Sequence, residues 1–145
     1  MDLIKITPDK EKAKSILKVV SLIEERIDTQ NRTRMAALII MDYYEIIKEL
    51  ITAILLIDGY KTLSHKDLIN YIKEGYPEFS EHETFVSDDL RVLRKRVAYE
   101  GFFIEPSYLV RNEDLIKKII QKLKKTIAEK LKGAINEYEQ ARKRV

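Results

Sequence analysis

The sequence predicts an all-α protein, a single bundle of about five helices with a long C-terminal helix. Two observations support this fold class. Apolar residues recur at intervals of three and four positions almost throughout the chain, which is the period of one face of an α-helix. Only four Gly and three Pro occur among 145 residues, and most of them stand where the periodic segments stop or start.

The first two helices are delimited by residues that suit helix ends. The first is predicted to begin with Thr7 as its cap. The second is predicted from about Arg34 to Asp58, with Asn31 or Thr33 as its cap and Gly59 as its left-handed terminator. This second helix is apolar nearly all round, so we expect it at the centre of the bundle. Its few polar residues fall on one narrow stripe: Asp42, Glu45, Lys48, Glu49 and Thr52.

The third and fourth helices both open with the spacing of a capping box. In the third helix, Ser64 stands three residues before Asp67. In the fourth helix, Ser80 stands three residues before Glu83. Each pair can exchange hydrogen bonds between side chain and backbone, which would fix where the helix begins. Gly101 is the expected end of the fourth helix.

The last part of the chain is predicted to be a short connection followed by the longest helix. The connection, residues 102–110, contains Pro106. Five of its side chains are too apolar to be free in solvent, and we expect them to pack against the bundle: Phe102, Phe103, Ile104, Tyr108 and Leu109. The final helix is predicted to run from Asn112 to about Arg144. All 145 residues then form one domain.

The composition excludes several classes of protein. The chain contains no Cys, which excludes disulfide-stabilised mini-proteins and thiolate zinc sites, and two His are too few for a His-rich metal site. We expect neither a metal nor a cofactor. The N-terminus lacks the pattern of a secretion signal, and the most apolar stretch, residues 35–57, carries four charged side chains, so we expect a cytoplasmic protein that does not enter a membrane. Abundant Ile, Lys and Glu are typical of heat-adapted organisms.

Positive charge is concentrated in the last helix. Residues 1–110 carry 16 basic and 19 acidic side chains, whereas residues 111–145 carry 11 basic and 5 acidic ones. This basic segment could attract phosphate or another acidic partner by long-range electrostatics. The charge pattern favours the alternative, a solvated, Lys-rich helix face.

The fourth helix ends in a cluster of four cations: Arg91, Arg94, Lys95 and Arg96. Cations near the C-terminal end of a helix interact favourably with its dipole, which gives a purely structural explanation. The alternative is a binding surface, because Arg91, Arg94 and Lys95 share one face. Glu45 and Glu49 would pair with this cluster if the two helices pack side by side, and otherwise they belong to a solvent-exposed stripe.

Three segments together resemble the HEPN superfamily. They are Tyr44-Glu45 with Glu49–Leu56 in the second helix, Asp58–His65 after it, and the arginine helix that ends Tyr99-Glu100-Gly101. The resemblance covers roughly residues 34–138 and includes the order of the helices. It implies a compact helical bundle that dimerises and places the arginine helix of each subunit at a shared cleft.

Many members of that family are metal-independent ribonucleases, and many are paired with a minimal nucleotidyltransferase in toxin and antitoxin systems. Their catalytic signature is an Arg, four to six further residues and then a His. Here four residues separate Arg94 from Tyr99, so Tyr99 stands at the position of the His. A Tyr with an ordinary pKa of about 10 is a poor general base at pH 7. Residues five apart on a helix also lie about 140° apart, so Arg94 and Tyr99 should not share a face unless the helix end unwinds or a second subunit completes the site.

The leading hypothesis is therefore a dimeric, non-catalytic HEPN-like module that binds a nucleotide, RNA or a minimal nucleotidyltransferase partner. The residues predicted to line its cleft are Arg91, Arg94, Lys95, Arg96 and Tyr99, with Glu45, Glu49 and His65 in supporting positions. A second hypothesis is a metal-independent ribonuclease in which Arg94 and Tyr99 are catalytic. A third is a purely structural dimerisation bundle, in which the long C-terminal helix associates and nothing binds the cleft. For His65 itself, the alternative is an exposed residue beside a helix cap.

Overall fold

The computed structural model describes the backbone of residues 1–143 and the side chains of residues 1–132. The described part of the chain is an all-α bundle, which confirms the predicted fold class. Its elements, in chain order, are β1 (Ile4–Lys5), α1 (Lys10–Asp28), α2 (Ala36–Asp58), β2 (Tyr60–Lys61), α3 (His65–Gly75), α4 (Glu81–Glu100) and α5 (Pro106–Lys143). Within these described residues, no helix is both long enough and apolar enough to pass through a bilayer.

Helix α2 forms the centre of the bundle, as predicted. It packs against α1, α3, α4 and α5, and thirteen of its 23 residues are buried. The polar stripe from Asp42 to Thr52 stays partly exposed. Each buried Ile or Leu side chain contributes about 1.5–3 kcal/mol relative to an exposed one, so α2 supplies much of the driving force for folding.

Three predicted helix ends are confirmed, and each depends on residues close together in sequence. Gly59 and Gly101 end α2 and α4 in the left-handed conformation, with φ of 90° and 66°. At the start of α4, the Ser80 hydroxyl accepts a hydrogen bond from the Glu83 N–H at 3.1 Å. The Glu83 carboxylate accepts one from the Ser80 N–H at 2.9 Å, which completes the capping box.

A small sheet that the sequence analysis did not predict holds the N-terminal segment against the end of α2. Strands β1 and β2 pair antiparallel, with Ile4 opposite Lys61. The N–H of Ile6 then donates to the carbonyl of Gly59 at 2.9 Å. These bonds keep the first residues of the chain extended.

The start of α1 differs from the prediction for this reason. The Asp9 N–H donates to the carbonyl of Leu56 at 2.9 Å, so the chain is still bound to α2 at that residue. The helix begins only afterwards, and its cap is Asp9, whose carboxylate accepts a hydrogen bond from the Lys12 N–H at 2.9 Å. The predicted cap, Thr7, is wrong.

The start of α2 is also two residues later than predicted. The Asn31 side chain accepts hydrogen bonds from the N–H groups of Thr33 and Arg34, at 3.0 and 2.8 Å. It therefore caps a turn over residues 32–35, and α2 follows this turn at Ala36 with no side-chain cap.

At the start of α3, only half of the predicted capping box forms. The Ser64 hydroxyl accepts from the Asp67 N–H at 3.2 Å. The Asp67 carboxylate, however, accepts from the backbone N–H of Asp2 at 3.1 Å, and the Ser64 N–H donates to Thr62 instead. The N-terminal segment thus competes for the carboxylate.

The last helix begins six residues earlier than predicted, at Pro106 rather than Asn112. A Pro at the first helical position loses no hydrogen bond and has the φ that a helix needs, so the apolar stretch continues as a helix instead of a loop. The expected packing holds for Ile104 and Leu109, which are buried. It is wrong for Phe103, which is 61% exposed. The side chains from residue 133 onward lie outside the described ones.

Candidate functional site

A hollow of about 280 Å³ opens where the second half of α4 faces α2 and the start of α3. Eight residues from these three elements and the loop before α3 line it: Tyr44, Ser64, His65, Lys66, Arg91, Arg94, Lys95 and Tyr99. We call it the cationic hollow. It forms because α2 and α4 pack together through apolar residues such as Leu90, which is completely buried, while their polar edges stay apart.

The charges of the cationic hollow are strongly unbalanced. Four of its lining residues are basic, and no Asp or Glu is among the described residues that line it. Arg91 has an ion-pair partner, Asp88 on the same helix, at 2.8 Å. Among the described side chains, Lys66, Arg94 and Lys95 have none. Like charges in one concavity repel each other, so the hollow is suited to an anion.

Tyr44 lies on α2, and its side chain lines the hollow while its hydroxyl is buried. Its side chain is 1% exposed, and its hydroxyl has no hydrogen-bond partner among the described residues. Burial raises its pKa to about 12, although the positive charges of Arg91 and Arg94 act in the opposite direction. The group therefore remains a protonated phenol at physiological pH.

The neighbouring residue shows what an ordinary buried tyrosine does in this protein. Tyr43 lies on another face of α2, and its hydroxyl donates to the Glu113 carboxylate at 2.7 Å. Arg32 also pairs with Glu113. Every group in this small network has a partner, in contrast to the hydroxyl of Tyr44.

His65 is the first residue of α3, and its ring centroid is 6.1 Å from that of Tyr44. Burial lowers its pKa, and the charges of Lys48, Arg94 and Arg91 lower it further, against a smaller opposing effect of Glu45. The imidazole is therefore neutral at pH 7 and has room to gain a proton when an anion binds.

The structure brings together five of the residues that the sequence singled out. Arg91, Arg94, Lys95 and Tyr99 line the cationic hollow from α4, and His65 lines it from α3. Arg94 and Tyr99 meet in the same hollow of one chain, although an ideal helix separates them by about 140°. They line different parts of it: Arg94 is partly buried, whereas Tyr99 is 76% exposed.

Arg96 does not line the hollow, so the structure does not bring it together with the other predicted binding residues, and its role in binding stays a prediction. Its guanidinium lies 3.8 Å from the centre of the Phe102 ring, and its Nε is 3.4 Å from the Glu100 carboxylate. These contacts with Phe102 and Glu100 keep the Arg96 guanidinium out of the hollow.

The predicted pairing of Glu45 and Glu49 with the arginine cluster is wrong. Both carboxylates pair with Lys48 on their own helix, at 2.7 and 3.3 Å. Both acids therefore pair with a cation on their own helix and not with the arginines, although the charge of Glu45 still acts on Tyr44 and His65.

Sequence reasoning missed Ser64, Lys66 and Tyr44 as lining residues. The sequence predicts only a capping role for Ser64, and Ser64 does cap α3 as well as line the hollow. Tyr44 stands in a nearly continuous apolar helix, where a tyrosine normally belongs to the core, and its ring does so. No local signal in the sequence points to Lys66, because it reaches the hollow only through the packing of α3 beside α4.

Comparison with known proteins identifies no relative of this chain. No protein-family model matches it, and neither curated proteins nor solved structures give a match. Within the described residues, no group of three or more His, Cys, Asp and Glu side chains could hold a metal ion. The function must therefore be argued from the side chains of the cationic hollow themselves.

Proposed function

We propose that the chain is a dimeric, non-catalytic HEPN-like module whose cationic hollow binds the phosphate of a nucleotide or of RNA. The observation that carries this proposal is the set of four basic side chains around one hollow that no described carboxylate lines.

Phosphate suits this set better than a simple carboxylate ligand. A guanidinium offers two parallel N–H donors that match two phosphate oxygens, and charge-assisted hydrogen bonds of this kind are about twice as strong as neutral ones. Arg91 and Arg94 provide two such groups in one hollow, while Lys66 and Lys95 add flexible point charges. A bound anion would also relieve the repulsion among these four cations.

The rim of the hollow offers a surface for the base of the nucleotide. Tyr99 is 76% exposed and also lines the hollow, so part of its ring faces the position of a bound ligand. Stacking of a base on an exposed aromatic ring contributes about 1–3 kcal/mol and does not depend on base identity. A phosphate among the cations and a base on Tyr99 would together recognise a nucleotide.

The binding experiment is a titration of AMP and of a short single-stranded RNA at two salt concentrations. We expect binding that weakens as salt rises, because phosphate contacts release counterions. Arg94→Ala should weaken binding about 10- to 100-fold, which corresponds to the loss of one hydrogen bond to a charged group. Arg96→Ala is the matched control: it removes the same charge two residues away, on the side of Phe102, and should change affinity by about twofold or less. Equal losses in both variants would contradict the proposal.

A metal-independent ribonuclease is the second candidate, and the position of His65 favours it. An imidazole in the same hollow as two arginines could act as a general base where Tyr99 cannot. Incubating the protein with RNA in EDTA tests this candidate. Cleavage that His65→Gln abolishes would establish it, whereas intact RNA in the presence of binding would leave the non-catalytic module.

Dimerisation is the second element of the proposal, and the outer face of α4 supports it. Phe85, Val92 and Tyr99 are spaced seven residues apart, so they form one stripe along the helix. Their exposed fractions are 66%, 39% and 76%. Exposed apolar residues in such a row are typical of a surface that another helix covers.

The charges beside the stripe select a second copy of the same helix, antiparallel to the first. Asp88 and Asp89 flank Val92 on its N-terminal side, and Lys95 and Arg96 flank it on its C-terminal side. In an antiparallel pair centred on Val92, the acids of one copy lie opposite the cations of the other. Such self-complementarity is what a two-fold symmetric interface requires.

The dimer can be tested without reference to any ligand. Because the chain has no Cys, Val92→Cys introduces a single thiol. At the centre of the antiparallel pair it should form an intermolecular disulfide rapidly, visible on a non-reducing gel. Val110→Cys, an exposed apolar position on α5, is the control and should remain largely monomeric. A monomeric wild type in light scattering, or equal cross-linking of both variants, would contradict the interface.

The resemblance to HEPN proteins also names a minimal nucleotidyltransferase as a candidate partner. The basic side chains of the cationic hollow would give such a protein a surface to contact. An adjacent reading frame that encodes a nucleotidyltransferase, followed by co-purification of the two products, would support this part of the proposal.

A further inference from the structure

We propose that the ligand of the cationic hollow is a terminal phosphate, the phosphomonoester of a nucleotide or of an RNA end, and that Tyr44 donates a hydrogen bond to it. This inference rests on the proposed function and specifies its ligand class. It rests on three observations: the Tyr44 hydroxyl has no described hydrogen-bond partner, this hydroxyl is buried, and three basic side chains of the hollow have no described ion-pair partner.

The hydroxyl of Tyr44 is a donor without a described partner. Three buried side-chain atoms have no hydrogen-bond partner among the described residues: Gln30 Oε1, Glu83 Oε2 and the Tyr44 hydroxyl. Gln30 and Glu83 each form hydrogen bonds through their other terminal atom. Tyr44 alone of the three forms none, and an unsatisfied buried polar group is costly enough to require an explanation.

A bound phosphate supplies the missing acceptor. Tyr44 lines the hollow together with Arg91 and Arg94, whose charges act on its hydroxyl. A phosphate held by these two guanidinium groups presents further oxygens towards α2. A phenol is a suitable donor to such an oxygen, because it carries no charge that would compete with the arginines.

The ligand must displace a side chain to reach this donor, because the hydroxyl exposes less than 1 Å² of surface. His65 is an exposed side chain at the first turn of α3, and its ring lies beside that of Tyr44. Its movement would open the floor of the hollow.

The floor and the charge favour a terminal phosphate over an internal one. The Tyr44 hydroxyl is buried, so an internal phosphodiester that reaches it would have to bring both of its ester substituents into the hollow. A monoester has a single substituent to accommodate. It also carries about 1.5 to 2 negative charges at pH 7 instead of one, which is a better match for three basic side chains without a described partner.

The test compares one RNA hexamer in three forms: with a 5′-phosphate, with a 3′-phosphate and with hydroxyl groups at both ends. We expect at least one phosphorylated form to bind about tenfold or more tightly than the hydroxyl form. AMP should compete with it, and adenosine should not.

Tyr44→Phe and Tyr43→Phe form a matched pair that separates binding from folding. Tyr44→Phe should weaken AMP binding about tenfold or more, while the melting temperature of the free protein stays equal or rises, because the removed hydroxyl had no partner. Tyr43→Phe should lower the melting temperature, because it loses the bond to Glu113, and should leave AMP affinity unchanged.

The possible failures are distinguishable. If the hydroxyl form of the hexamer binds as tightly as the phosphorylated forms, or if Tyr44→Phe binds AMP like the wild type, the inference is overturned and the proposed function stands. A lower melting temperature of free Tyr44→Phe also overturns it, because the hydroxyl would then have an internal role. If none of the probes binds, the proposed function itself fails.

Discussion

Helix α2 carries two polar groups of opposite character, Asp58 at its C-terminal end and Tyr44 in its first half. At its C-terminal end, Asp58 accepts hydrogen bonds from the hydroxyls of Tyr71 and Tyr76, at 2.5 and 2.6 Å, and from Lys130 at 2.6 Å. We call this group the Asp58 cluster. About 21 Å away along the helix, Tyr44 has no described partner, and the cations beside it outnumber the acids.

The difference shows how a structural polar network can be told from a site that awaits a ligand. In the Asp58 cluster, burial and the bonds to the carboxylate raise the pKa of both tyrosines. Burial alone would raise the pKa of Asp58, but the hydrogen bonds from Lys130, Tyr71 and Tyr76 outweigh it and lower that pKa. The cluster satisfies itself and stabilises the fold. The cationic hollow leaves charge and donor unmatched, so its residues should affect binding much more than stability.

The largest expected effect is that of Asp58→Ala on stability. It removes the acceptor of three hydrogen bonds and leaves the ammonium of Lys130, which is 28% exposed, without its partner. We expect the free energy of unfolding, measured in urea, to fall by about 3 kcal/mol. Arg94→Ala, in the cationic hollow, should change it by about 0.5 kcal/mol or less. Equal effects of the two variants would remove the distinction between the regions.

The second largest expected effect is that low pH abolishes the contribution of Asp58 to the free energy of unfolding. Its pKa is lowered in the folded protein, so the folded state binds fewer protons than the unfolded one. The stabilisation is complete above the unfolded pKa of about 3.9 and is lost as the pH falls through the lower folded value. The difference in unfolding free energy between wild type and Asp58→Ala should therefore shrink between pH 6 and pH 2. A constant difference over this range would mean that the carboxylate charge is not what stabilises the cluster.

Tyr76→Phe should have a smaller effect, of about 1 kcal/mol, because it removes one hydrogen bond and leaves Asp58 with Tyr71 and Lys130. The same change at Tyr44 should cost nothing. Denaturation curves of the two variants, recorded side by side, compare a paired with an unpaired hydroxyl on the same fold. Loss of stability in Tyr44→Phe but not in Tyr76→Phe would reverse the interpretation of both regions.

The smallest expected effect is a pH dependence of anion binding that arises from His65. Its pKa is lowered by burial and by nearby cations, so it is neutral at pH 7.5. An anion in the hollow favours its protonated form, so affinity should rise as the pH falls. With sulfate, whose charge is constant in this range, we expect about a threefold gain from pH 7.5 to pH 5.5 by calorimetry. His65→Gln should show a flat profile; a gain that survives this change would assign the proton to another group.

Local signals allowed much of the fold to be predicted. The capping box of Ser80 and Glu83 and the left-handed positions of Gly59 and Gly101 depend on residues within one helix turn, so the sequence contains the whole interaction. The start of α1 could not be found in this way. Its position depends on the backbone bond from Asp9 to the end of α2, about 50 residues further along the chain.

The site was predictable only in part, for the same reason. Helical geometry placed Arg91, Arg94 and Lys95 on one face, and the structure places them in one hollow. The same geometry cannot tell that Arg96 finds an aromatic ring after the helix ends. Nor can it tell that Tyr44, in an apolar helix, lies at the floor of the site, because a core tyrosine and a ligand-facing one have the same pattern.

Because α2 lies at the centre of the bundle, the melting temperature of the protein can report binding of the unknown ligand. The ring of Tyr44 is part of the hydrophobic core, so the chain cannot unfold without dismantling the floor of the hollow and releasing whatever it holds. A ligand present at one hundred times its Kd adds about 2.7 kcal/mol to the free energy of unfolding. A plate of metabolites and short oligonucleotides can therefore be screened by melting temperature alone, and Tyr44→Phe in parallel wells would separate hits in this hollow from binding elsewhere on the surface.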